Sequence, residues 1–149
     1  MTDAILFVCL GNICRSPLAE GIAKKIATEK GIEIVIDSCG TGSWHIGESP
    51  CADSIRVAKE HHLDISHQRA RQVTQKDFST FNKIIALDEN NLRDLKAMGA
   101  TNVKKLGDYG YDGEDVPDPY FFPGYEGFEK VYTMIESCIT ELLENNNTV

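Results

Sequence analysis

The chain has 149 residues, 42% of them apolar, and 23 acidic against 15 basic side chains give a formal charge of −8. This length and apolar share fit one domain, residues 1–149, around one core, and exclude a wholly disordered chain. The acidic balance excludes a nucleic-acid backbone binder, which needs a basic face, but leaves room for a local cationic site for an anion.

No run approaches the roughly 18 apolar residues of a membrane span. The five cysteines, odd in number and irregularly spaced, argue for reduced thiols in the cytoplasm over a secreted disulfide framework. With no C-x2-C pair and no H-E-x-x-H, neither a metal nor a cofactor is expected.

Residues 4–9, AILFVC, are a continuous apolar run too short for a helix and read as a strand buried on both faces. Ser16-Pro17 opens a helix whose Leu18, Ile22 and Ile26 share a face and which Gly31 closes. Residues 32–37 read as a second strand and SCGTGSWHIGESP as a Gly-rich loop. The segment from Pro50, PCADSIRVAKEHHL, reads as a helix, with His61 and His62 as capping or solvated residues at its end. Residues 82–88 read as a third buried strand, 89–98 as a helix ended by Gly99, and TNVKKLG as a short fourth strand. A turn-rich loop over 107–124 contains Asp118-Pro119. Phe128, Val131, Tyr132, Ile135, Ile139 and Leu142 then mark an amphipathic helix over 126–144, before a frayed tail NNNTV. Strands alternating with helices predict a mostly parallel sheet covered on both faces, with a ligand site beyond the carboxyl ends of the strands where strand order reverses.

The loop after the first strand carries the chemistry. Cys9 ends a strand, a short loop follows, and a helix begins near Ser16, so several backbone N–H groups and a helix N-terminus converge on one point. That is a cradle for a tetrahedral oxyanion. Arg15 adds a planar fork for two of its oxygens, and the same field favours a thiolate at Cys9. A Walker A pattern is absent. Taken alone, Cys9 is an inert buried thiol, as free cysteines usually are. The C-x5-R spacing after a strand, followed by Ser-Pro and a helix, reverses that reading.

VCLGNICRSPLAEGI resembles the signature of the low-molecular-weight protein tyrosine phosphatases, and the likeness runs on through DSCGTGSWHIG, ALDENNL and VPDPYF. The resemblance implies a flavodoxin-like α/β three-layer sandwich with a four-stranded parallel sheet in the order 2-1-3-4. It implies hydrolysis of phosphotyrosine in tyrosine-phosphorylated proteins through a phosphocysteine at Cys9. Arg15 would bind the phosphate, Ser16 would hydrogen-bond the Cys9 sulfur, and Asp118 would be general acid and then base. Asp118-Pro119 by itself is equally a turn initiator; Glu114 and Asp115 fit the acid poorly because neither precedes Pro119.

Leu10, Gly11, Asn12, Ile13 and Cys14 complete the phosphate loop. Asn12 suits a left-handed backbone turn, and the resemblance places its amide against the hydroxyls of Ser16 and Ser38. The family's supporting histidine is displaced here: HQRARQ aligns Gln68 at its position unless a one-residue bulge restores His67. Trp44, Tyr120 and Phe121 would wall the substrate rim, though loop packing explains aromatics equally well. Ile13, where the related protein arginine phosphatases carry Thr, favours an aromatic ring over a guanidinium. Cys14 is either a disulfide partner for oxidised Cys9 or a small core-facing residue. Cys39, Cys51 and Cys138 read as packing residues.

Inorganic phosphate and other oxyanions are expected inhibitors, and the chain is expected to be a monomer or weak dimer. Three rivals are weaker. An arsenate reductase needs relay cysteines about the third strand, a non-catalytic anion sensor needs no Cys9, Ser16 and Asp118 together, and a thiol redox protein lacks its C-x2-C.

Overall fold

Four strands, Asp3–Cys9 (β1), Ile34–Gly40 (β2), Lys83–Ala86 (β3) and Val103–Lys105 (β4), lie parallel in the order β2-β1-β3-β4. The computed structural model describes residues 3–146, and at Phe121, Asn145 and Asn146 the backbone only. Parallel neighbours cannot be joined by a tight turn, so a helical crossover follows each of the first three strands. These crossovers are Arg15–Lys30 (α1), Ala52–Glu60 (α2) with Asp77–Thr80 (α3), and Glu89–Ala97 (α4); Glu126–Asn146 (α5) follows β4. The order is the expected 2-1-3-4, and the fold is the expected flavodoxin-like sandwich.

Period-two alternation divides the core between two faces. Ile5, Phe7 and Cys9 of β1, with Ile36, Ile85 and Leu87, meet Leu18, Ile22 and Ala23 of α1 and Phe128, Tyr132, Ile135, Ile139 and Leu142 of α5. Leu6 and Val8, with Cys39, Ile84 and Ala86, meet Val73, Phe81, Leu95 and Ala100 on the other side. The apolar runs of β1 and β3 are continuous because both strands are covered on both faces.

Several boundaries depart from expectation. The second strand spans Ile34–Gly40, not 32–37, so Ser38, Cys39 and Gly40 belong to the ladder and not to a loop. Pairing with β1 holds them there, in register to Cys9↔Gly40, although the Gly-rich run that begins at Ser38 reads as a loop. The helix expected from Pro50 spans only Ala52–Glu60. His61 caps it and stacks on Tyr132 at a centroid distance of 3.9 Å. The fourth strand shortens to Val103–Lys105, and α3 was not expected at all. The 107–124 loop contains a 3-10 turn at Pro119–Phe121. Of the tail expected to fray, residues 147–149 lie outside the described residues.

Strand order reverses between β1 and β3. The loop after β1, the loop after β3 and the 107–124 segment converge at that carboxyl edge, where Val116 N–H donates to Leu87 O at 2.8 Å.

Candidate active site

The loop after Cys9 turns back on itself at Asn12, whose φ of 57° is a left-handed conformation that asparagine tolerates. The turn aims the Asn12 N–H at Cys9 Sγ, 3.3 Å away. Cys9 is 3% exposed and Ser16 fully buried. Ser16 Oγ lies 3.0 Å from the Cys9 sulfur. The Asn12 amide donates to Ser16 Oγ at 2.8 Å and to Ser38 Oγ at 3.0 Å, so both hydroxyls keep their own proton for another acceptor. Ser38 gives its proton to Glu20 Oε1 at 2.6 Å. Ser16 has the Cys9 sulfur and, at a longer 3.5 Å, Cys39 O as acceptors.

Asn12 Oδ1 accepts from the Arg71 N–H at 3.0 Å. The Arg71 side chain is tied to Asp77 by two bonds of 3.0 Å and to Asp37 at 3.1 Å. Gly40 supports the loop from beneath: a Cβ there would lie 2.6 Å from Leu10 O and 3.1 Å from Asn12 N. Gln68 donates to Pro17 O at 3.1 Å, at the first turn of α1, whereas His67 is exposed. The Gln68 amide therefore reaches α1 and not Asn12, whose side-chain oxygen is held by the backbone of Arg71.

Arg15 is 8% exposed and donates through Nη1 to Asp88 Oδ2 at 2.6 Å and to Val116 O at 3.0 Å. Burial works against its charge, but the nearby Cys9, Asp88 and Asp118 outweigh it and hold the guanidinium above its ordinary value. Nη1 is committed to these acceptors, so the Nε–Nη2 edge is the fork left for an oxyanion. Asp118 Oδ1 accepts from the Tyr120 N–H at 2.9 Å, so the residue starts the 3-10 turn as well as facing the site.

Cys9, Leu10, Gly11, Ile13, Cys14, Arg15, Trp44, Asp118 and Tyr120 line one cleft of about 200 Å³, together with His45. Asn12, Ser16 and Ser38 stand behind the loop and shape it. Trp44 and Tyr120, 69% and 60% exposed, stand at the mouth of the cleft, and the Tyr120 ring also packs edge-on against buried Phe128 at 5.1 Å. The side chain of Phe121 lies outside those described. Cys14 is a neighbour of Cys51, with 2.7 Å between the sulfurs. Among the described residues no group of three or more His, Cys, Asp or Glu could hold a metal ion, and no helix is long and apolar enough to cross a membrane.

Four contributors escaped sequence reasoning: Glu20, Gly40, Arg71 and Asp88. Only Asp88 had a local signal, as an N-cap candidate before a helix, and that signal predicts a cap rather than a partner for Arg15.

The profile of the family described as low molecular weight phosphotyrosine protein phosphatase matches residues 4–148. The low molecular weight protein-tyrosine-phosphatase YfkJ of Bacillus subtilis is 40% identical over 148 residues, 94% of this chain and 93% of that protein. A crystal structure of a protein tyrosine phosphatase from Entamoeba histolytica, with Hepes in its active site, superimposes with a TM-score of 0.91 at 31% identity, covering 98% of this chain and 97% of that one. A Drosophila arginine phosphatase structure gives a TM-score of 0.89 at 32% identity, covering 97% of this chain and 98% of that one.

Proposed function

The chain belongs to the low molecular weight phosphotyrosine protein phosphatase family, and on that premise we propose that it hydrolyses phosphotyrosine in proteins through a phosphocysteine at Cys9. The carrying observation is that Cys9, Arg15 and Asp118 line one small cleft whose wall includes Ile13 and whose rim includes Trp44 and Tyr120.

In the first step the Cys9 sulfur attacks phosphorus in line with the phenolic oxygen. The loop N–H groups and the free edge of Arg15 take the equatorial oxygens, and Asp118 protonates the leaving phenol. In the second step Asp118 takes a proton from water as it attacks phosphorus. Cys9 then leaves as a thiolate, stabilised by the Ser16 hydroxyl and the Asn12 N–H. Leu10, Gly11, Asn12, Ile13 and Cys14 hold the cradle, and Ser38 orients Asn12. The depth of Cys9 below the rim suits an aromatic ester, and apolar Ile13 offers a ring a contact and a guanidinium no polar partner.

The same cradle makes inorganic phosphate and other oxyanions competitive inhibitors. We assign the enzyme to the cytoplasm as a monomer or weak dimer working as one domain; five free thiols support a reducing compartment. The test is phosphate release from phosphotyrosine, phosphoarginine and phosphoserine peptides in EDTA and a reductant. Fast release from phosphotyrosine alone is expected. Preference for phosphoarginine would keep the mechanism and overturn the substrate, and no release from any peptide would overturn the reading.

A further inference from the structure

Asp115 precedes Val116-Pro117-Asp118-Pro119, and its carboxylate has no part in the phosphoryl chemistry above. Asp115 Oδ1 accepts the Glu89 N–H at 2.9 Å and a bond from Lys105 Nζ at 2.9 Å. Glu89 opens α4 and Lys105 ends β4, so one oxygen ties the 107–124 loop to both elements. Lys105 Nζ also lies 3.4 Å from Glu89 Oε1, and its side chain is only 12% exposed. The ammonium is thus held between two carboxylates, and the positive end of α4 favours Asp115 at its start.

The next residue faces inward. Val116 is fully buried, its N–H donates to Leu87 O at 2.8 Å, and its carbonyl accepts from Arg15 Nη1 at 3.0 Å. Two residues further on, Asp118 lines the cleft. Pro117 and Pro119 fix their own φ and hold the residue before each toward extended backbone; Asp118 has φ −66° and ψ 122°. A stretch so restricted passes a tilt at Asp115 on to Asp118 instead of absorbing it.

We propose that Asp115, clamped by Lys105 and the Glu89 N–H, is a positioning residue that sets the Val116 carbonyl on Arg15 and Asp118 in the cleft. The inference rests on the phosphatase reading, with Asp118 as general acid. Asp115 is outside the set of residues that line the catalytic cleft and acts through these two neighbours.

The test is kcat/KM for a series of aryl phosphates of rising phenol pKa. Asp115→Ala loses both bonds. Its kcat/KM is expected to fall about tenfold on phenyl phosphate and only about twofold on nitrophenyl phosphate, because a misplaced acid matters most for a poor leaving group. A merely structural role would lower the whole series equally. Asp115→Asn keeps an oxygen for both donors and is expected to restore most of the rate and the slope of the parent enzyme. Lys105→Ala leaves the bond to Glu89 in place. It is expected to steepen the slope as well, and to add little in the double variant with Asp115→Ala. Hydrogen–deuterium exchange at Val116 is expected to be severalfold faster in Asp115→Ala. An equal loss across the series, no loss, no recovery in Asp115→Asn, additive losses in the double variant, or unchanged exchange at Val116 would each overturn the proposal. A parent enzyme that releases no phenol from any ester would overturn the phosphatase reading instead, and exchange at Val116 would still decide the clamp.

Discussion

Arg15 and Asp88 are joined at 2.6 Å, and the same carboxylate accepts the Asn91 N–H at 2.8 Å as the cap of α4. One side chain therefore locks the anion-binding arginine to a helix start. Asp88→Ala removes both contacts. It should cost about 1 kcal/mol from the cap alone and lower kcat/KM on the order of 10–100-fold through misplacement of Arg15. Asp88→Asn keeps an oxygen for the cap but loses the charge, so it should recover most of the stability and little of the activity. Denaturant melts and steady-state kinetics on both variants separate the two roles. Full activity in Asp88→Ala would show that Val116 O and the loop suffice to aim Arg15.

Cys9→Ser should abolish turnover, a loss on the order of 10⁵-fold or more, as expected for a nucleophile. The cradle of N–H groups and Arg15 remains, so inorganic phosphate should still bind. Calorimetry alongside an activity assay checks both halves. Appreciable residual turnover would remove Cys9 from the nucleophile's role.

Asp118→Ala should separate substrates by leaving group. General-acid loss is worth about 10²–10⁴-fold, and it should fall mainly on alkyl-substituted phenols and much less on nitrophenyl phosphate. The check is the slope of log kcat/KM against phenol pKa, which should steepen in the variant. An equal loss across the series would argue against proton transfer by this residue.

Gly40→Ala tests how tightly the phosphate loop is seated. The new Cβ would meet the Leu10 carbonyl at 2.6 Å, a backbone atom that cannot swing away, so the loop itself must shift. A 1 Å displacement of catalytic groups costs about 10²-fold, and kcat should drop by about that much while the sheet stays folded. Circular dichroism and kinetics together decide it. Unchanged kcat would mean that the loop floats free of β2.

Asp77 links pH to stability. Burial pushes its carboxyl up, but hydrogen bonds from Arg71 and Thr74 outweigh burial and hold it below the usual carboxylate range. A folded-state value lower than the unfolded one of about 3.9 contributes stability that is fully present above that pH. The contribution is lost as pH falls through the folded value. Parent enzyme and Asp77→Asn should therefore differ most near neutrality and converge below about pH 4. Urea melts across pH 3–7 would show this, and a pH-independent gap would place the effect in packing instead.

Much of this protein was legible in its residues. Cys9, Asn12, Arg15 and Ser16 fall in one short stretch, from the end of β1 to the first turn of α1, so their spacing along the chain is nearly their geometry in space. The apolar runs of β1 and β3 and the helical stripe of α5 follow from periodicity, which is local. Tertiary structure decided what depends on distant partners. Ser38–Gly40 join β2 only because β1 lies alongside. Asp88 meets Arg15 only because β3 sits next to β1. Arg71 reaches Asn12, and Cys51 reaches Cys14, because crossover segments return to the same sheet edge. Composition and spacing encode which groups are present; hydrogen-bond partners far apart in the chain are chosen by strand order, which no local pattern carries.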